Sequence, residues 1–130
     1  MNVEKKFGKG TELIWSDKKR RLGMPLSVTR YYLVKKPGSW FKVFSDVGLT
    51  YSELEEINLY RICDISFYQS LFGKMFNTGT VVLKTSDETN EILVLKNIKN
   101  PLQVRNMFTE NVEAERKAHN VRVSEFHAHR

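Results

Sequence analysis

Residues 60–85 read YRICDISFYQSLFGKMFNTGTVVLKT, and residues 97–104 read NIKNPLQV. The first stretch predicts two strands joined by an apolar loop, Gln69–Asn77. The second predicts a final strand running into one helix. Short strands followed by a single C-terminal helix indicate a mainly β domain, a small sandwich or partly open barrel.

Side chains alternate across a strand. In Tyr60–Tyr68, Arg61, Cys63, Ile65 and Phe67 therefore share one side, and Ile62, Asp64, Ser66 and Tyr68 share the other. One face is expected to be buried and the other largely wet. Cys63, lying in line with Ile65 and Phe67, is expected to be a buried, inert thiol. Downstream, Gly79–Thr85 and Glu91–Ile98 read as strands joined by the turn composition SDETN.

The pattern changes at Asn100. Asparagine is a favoured N-cap, and Pro101 suits the first helical position. Val104, Phe108 and Val112 then recur at helical spacing, with Met107 beside them, and form one apolar stripe. Arg105, Glu110, Glu113, Arg116 and Lys117 fall mostly on the other side. The helix is expected over about 101–119, with Asn120 as its left-handed exit, and its stripe should close an open end of the sheet.

Upstream, Glu12–Ser16 is a first strand and Asp17–Arg21 (DKKRR) a charged turn. Leu26–Lys35, rich in β-branched and aromatic residues, is a second strand. Lys36-Pro37-Gly38 turns into Trp40–Phe44, and Asp46-Val47-Gly48 turns again. Leu49–Tyr51 and Glu56–Leu59 read as strand around an acidic step. Residues 1–10 are expected to be flexible, 11–123 to form the domain, and 124–130 to be a flexible tail.

Together these features resemble the bacterial pleckstrin-homology-like family. The similar segments are ELIW, PLSVTRYYLV, EEINLYRICDIS, QSLFGKMFNTGTVVLKTSD and LKNIKNPLQVRNMF. The resemblance implies about seven antiparallel strands in a pleckstrin-homology-like sandwich or partly open barrel, with a C-terminal helix plugging one end. It implies no catalytic residues and no cofactor. Many relatives carry transmembrane helices beside the domain, a pattern from which this chain departs. Eukaryotic relatives bind phosphoinositides through basic residues in the first strand–strand loop, but fold alone does not transfer function.

Composition bounds the functional classes. The 130 residues are 41% hydrophobic and 28% charged, enough for one folded core. No apolar run is long enough to span a bilayer. The opening MNVEKKFGKGTELIW has no apolar signal core, which argues against secretion. A single cysteine excludes an internal disulfide and fits a reducing cytoplasm. The net charge is +6, and residues 1–45 carry 11 Lys+Arg against 3 Asp+Glu. That asymmetry suits an anionic partner or a well-solvated face.

Two segments are candidate sites. Lys18, Lys19, Arg20 and Arg21, reinforced by Lys35, Lys36 and Lys42, are candidates for anion or lipid binding. In a loop, four successive cations can converge on phosphate; as an ordinary charge run they are solvated surface. Leu71, Phe72, Met75 and Phe76 are candidates for an interaction loop. Folding back over the core is the expected arrangement; self-association and bilayer contact are the others.

Tyr31, Tyr32, Trp40, Phe41 and Phe44 beside basic residues fit a core better than a nucleic-acid groove, since no nucleic-acid motif accompanies them. His127 and His129 do not complete a zinc site, and His119 cannot be assumed a third ligand. Glu53, Glu55 and Glu56 read as solvated acids. The chain has no phosphate loop, dinucleotide glycine pattern or nucleophile elbow. The expected function is therefore a non-enzymatic binding or scaffolding module, cytoplasmic, with a protein partner or a second copy of itself. The alternative is peripheral binding of anionic lipid head groups through residues 18–21.

Overall fold

The computed structural model describes residues 3–20, 29–36, 38, 40–47, 53–85 and 90–128, with backbone alone at 3, 53–55 and 121–128. Within these residues the chain runs α1 (Val3–Phe7), β1 (Glu12–Lys18), β2 (Arg30–Lys35), β3 (Phe41–Val47) and β4 (Glu53–Asn58). A 3-10 turn (Leu59–Arg61) leads to β5 (Ile62–Tyr68), α2 (Leu71–Phe76), β6 (Thr78–Thr85), β7 (Ile92–Lys99) and α3 (Pro101–Ala128). The described strands form two antiparallel sheets, ordered β1-β2-β3-β4 and β5-β6-β7. They do not merge into one closed barrel. The architecture is consistent with a pleckstrin-homology-like sandwich.

The core lies between the sheets. Leu33, Val43 and Ile57 enter it from the first sheet, and Val81, Leu83, Leu93 and Leu95 from the second. α3 adds Val104, Phe108 and Val112, the stripe that its spacing predicts. Phe108 is fully buried and meets Trp15 edge-on, with ring centroids 5.6 Å apart. Farther along, the Glu115 carboxylate accepts the Phe41 N–H at 3.1 Å, tying the helix to the start of β3.

Several sequence expectations are corrected. Residues 1–10 are not frayed throughout. Phe7 is buried against Tyr32, Val34 and Phe44, at ring separations of 5.3 Å from Tyr32 and 4.6 Å from Phe44. The reason lies in β2, whose Tyr31-Tyr32-Leu33-Val34 is buried on both faces. One face meets the main core, and α1 covers the other. Lys6 adds an ion pair to Asp46. Asp46 and Val47 are not a turn: they belong to β3, opposite Leu54 and Glu53. Leu49–Tyr51 lie outside the described residues.

Cys63 is exposed, not buried. The β5–β6 register shifts between Ile62 and Asp64, so a bulge interrupts the alternation at Cys63. Ile62 is fully buried, while Cys63 and Asp64 are both exposed. Inward packing resumes at Ile65.

The final helix continues to Ala128, beyond the expected stop near residue 119 and into the segment 124–130 expected as a tail. Asn120 is a weak breaker, and no glycine or proline follows Pro101. Asn100 holds the expected N-cap position, directly before Pro101, with an unusual backbone and side-chain partner. It has φ 51, its carbonyl accepts the Val104 N–H at 3.0 Å, and its side chain accepts a bond from Asn77.

Candidate interaction surface

Local chemistry shapes residues 69–78 into a one-turn helix where the sequence predicts a loop. Ser70 caps α2 by accepting the Gly73 N–H at 3.0 Å. The Gln69 side chain donates to the Gly73 carbonyl at 3.3 Å and the Thr78 carbonyl at 3.1 Å. Asn77, at φ 55, supplies the left-handed exit. A Cβ on Gly73 would stand 2.5 Å from the Thr78 carbonyl oxygen, so this turn requires glycine.

The turn points its apolar side chains outward. Leu71 is 81% exposed, Phe72 64%, Met75 72% and Phe76 38%. The expectation that they fold back over the core is therefore overturned. None of the four belongs to the main core cluster, which includes Val81, Ile98 and Phe108. Tyr68, at the end of β5, is exposed beside them in sequence.

The basic segment is not a loop of converging cations. β1 continues through Asp17 and Lys18, which pair with Tyr31 and Arg30. The Lys19 N–H then donates to the Thr29 carbonyl at 3.1 Å. Lys18 and Lys19 consequently follow strand geometry, in which adjacent side chains diverge. Arg20 is engaged by Asp17 at 2.6 Å, and its N–H donates to the Asn97 carbonyl at 2.9 Å. Arg21 lies outside the described residues.

Lys35, Lys36 and Lys42 do not reinforce this segment. Lys35 pairs with Glu12 and Phe41, at the opposite end of the β1–β2 ladder from Lys18 and Arg30. Lys42 pairs with Val34 at the same far end. Lys35 lies 5.0 Å from the Phe41 ring centroid, and Lys36 5.4 Å from that of Phe44. These cations cover aromatic faces.

Asp17 organises the corner. One carboxylate oxygen accepts the Lys18 N–H at 2.8 Å and the Arg20 guanidinium at 2.6 Å. The other accepts the Lys99 N–H at 2.8 Å. The Lys99 ammonium in turn donates to the Phe76 carbonyl at 3.0 Å. The Asn100 N–H reaches the Asn77 carbonyl at 3.0 Å. The basic segment and the apolar turn, widely separated in sequence, are thus linked through the β7–α3 junction. The loop reading misses the Ser70 cap and the Asn77 exit, which the serine before and the asparagine after the apolar run could have signalled; the role of Asp17 had no local signal.

Two hollows, of about 470 and 500 Å³, share Ser16, Asp17 and Arg20 in their linings. Their central carboxylate is occupied by structural bonds. Between the sheets, the Tyr31 hydroxyl of β2 accepts the Lys96 N–H of β7 at 3.1 Å. Burial pushes the Tyr31 phenol above its ordinary value, the bond from Lys96 lowers it in part, and the Asp17 charge raises it further.

The segments flanking α2 carry one sign of charge, and Asp17, paired with Arg20, meets them at the Lys99 N–H. Residues 65–86 and 92–109 contain no Asp or Glu. Lys74, Lys96 and Lys99 in these segments are exposed. Among the described residues no group of His, Cys, Asp and Glu could hold a metal ion, and no helix is long and apolar enough to cross a membrane. Tyr60 stacks on His119 with centroids 3.9 Å apart, and Trp40 stands 5.1 Å from His119. That histidine is part of the packing between α3 and the sandwich. Comparison with protein-family models, with curated proteins and with solved structures found no match.

Proposed function

We propose that this chain is a non-catalytic, pleckstrin-homology-like binding module whose working surface is the α2 end of the second sheet. The observation that carries the reading is the outward display of Leu71, Phe72 and Met75 on a turn fixed by Ser70, Gln69 and Asn77. A turn whose apolar groups face water gains nothing for the fold from them, whereas a bound surface would remove them from water. The best placed acid, Asp17, is committed to Lys18, Arg20 and Lys99, which supports binding over acid–base chemistry.

The test compares the full chain with a Leu71→Ser/Phe72→Ser variant. Both are added to lysate, and the soluble complexes and sedimenting membranes they join are measured. The variant should keep the unfolding midpoint and lose association. Equal association of the two proteins would refute the reading.

Self-assembly is favoured by a separate observation. Ile92 and Val94 are 56% and 40% exposed on β7, which lies at the edge of its sheet. Light scattering coupled to size exclusion should show concentration-dependent mass that Ile92→Lys abolishes. A strictly monomeric chain at high concentration would remove this branch.

A further inference from the structure

We propose that the α2 tip seats in the interface of an anionic lipid bilayer, with Leu71, Phe72 and Met75 entering the headgroup–acyl boundary and lysines remaining at the headgroups. This inference rests on the binding-module reading and names the partner of that surface.

Two observations favour lipid over a protein partner, and a third lowers the cost of docking. The first is shape: the apolar groups occupy a single turn and are 64–81% exposed at Leu71, Phe72 and Met75. A stable protein interface needs about 800 Å² per partner and shape-matched packing. A bilayer receives each apolar side chain separately and needs no matching relief.

The second is charge. Lys74 lies within the turn, and Lys99 is fastened to its last carbonyl. The segments around them, 65–86 and 92–109, contain no carboxylate side chain, and the Asp17 carboxylate that meets the Lys99 N–H is paired with Arg20. A two-fold contact between copies would bring these like charges together, whereas an anionic headgroup layer complements them.

The third is rigidity. The Ser70 cap, both Gln69 bonds, the left-handed Asn77 and the Asn77–Asn100 connection fix the turn before any contact forms. The apolar side chains are therefore presented without ordering the backbone on binding, a cost that flexible loops must meet.

The experiment is co-sedimentation of the full chain with phosphatidylcholine vesicles, with and without phosphatidylglycerol, at low and high salt. The wild type should sediment with the anionic vesicles and not with the neutral ones, and high salt should weaken binding. Lys74→Glu removes one attractive charge and adds a repulsive one. At roughly fivefold per charge, it should weaken binding more than tenfold. Leu71→Ser/Phe72→Ser should weaken it at least as much, with an unchanged unfolding midpoint. In Phe72→Trp, lipids brominated on their acyl chains should quench the added indole.

Wild-type protein that ignores anionic vesicles would overturn the proposal, as would undiminished sedimentation of the serine variant. If vesicles are ignored while the serine variant still loses a protein contact, the lipid assignment fails and the binding-module reading stands. If the serine variant matches wild type in every assay, both fail.

Discussion

Asp17 and Lys99 lie 82 residues apart, and the Asp17 carboxylate accepts the Lys99 backbone N–H at 2.8 Å. This bond joins the end of β1 to the end of β7, beside the bond from the Arg20 N–H to the Asn97 carbonyl. Because the same carboxylate also holds Arg20 and the Lys18 N–H, one side chain locks the corner on which α3 begins.

Asp17→Ala should therefore destabilise the fold by about 1.5–3 kcal/mol, the range for hydrogen bonds to a charged partner. The side chain is only 11% exposed, so water replaces it poorly. Urea titration should show a lower midpoint with an unchanged slope. A midpoint equal to wild type would reject the latch.

Phe108→Ala tests the closing helix. Phe108 is fully buried in the main core and packs on Trp15. Truncation should cost about 3–5 kcal/mol. If α3 closes the sandwich as described, the loss should be accompanied by a change in Trp15 fluorescence. A near-neutral effect would mean that the stripe is not packed.

Gly79 sits where β6 passes the start of α3. A Cβ there would lie 2.8 Å from the Tyr68 carbonyl oxygen and 2.9 Å from Pro101 Cγ. Gly79→Ala should cost about 1–3 kcal/mol through overpacking, seen as a lower thermal midpoint. Amide exchange should rise first at Val104, whose N–H bonds Asn100 beside that contact.

Tyr31 makes alkaline stability a test of burial. Its folded pKa is raised above 10.0, chiefly by desolvation. The unfolded chain therefore releases this proton first. The stabilising contribution is complete below the unfolded value and is lost as pH rises through the folded one. Tyr31→Phe should flatten the fall in stability above about pH 10. It should also lower stability at neutral pH by about 1 kcal/mol, because the Lys96 N–H loses its acceptor. An unchanged alkaline profile would contradict the assignment.

The elements that were legible had strong local codes. Val104, Phe108 and Val112 are spaced for one helical face, and all three are buried. β6 and β7 read as strands from their composition, and Val81, Leu83, Leu93 and Leu95 turn inward from them. Errors arose where one residue altered the phase or a distant group supplied the reason. A bulge at Cys63 put two consecutive residues outside. Phe7 ordered the amino-terminal segment because Tyr32, Val34 and Phe44 offered it a second apolar face.

The candidate site divides in the same way. The caps that bend 70–77 into a turn were missed in the loop reading, whereas the site's apolar residues and its cations could each be named from composition. Their meeting at one corner could not. It depends on where β1 and β7 end relative to one another, and on a carboxylate at residue 17 reaching an amide at residue 99. Local order follows from side-chain periodicity and backbone preference, which act over a few residues. The surface that results follows from long-range packing, which decides which chain ends meet and which apolar groups remain in water.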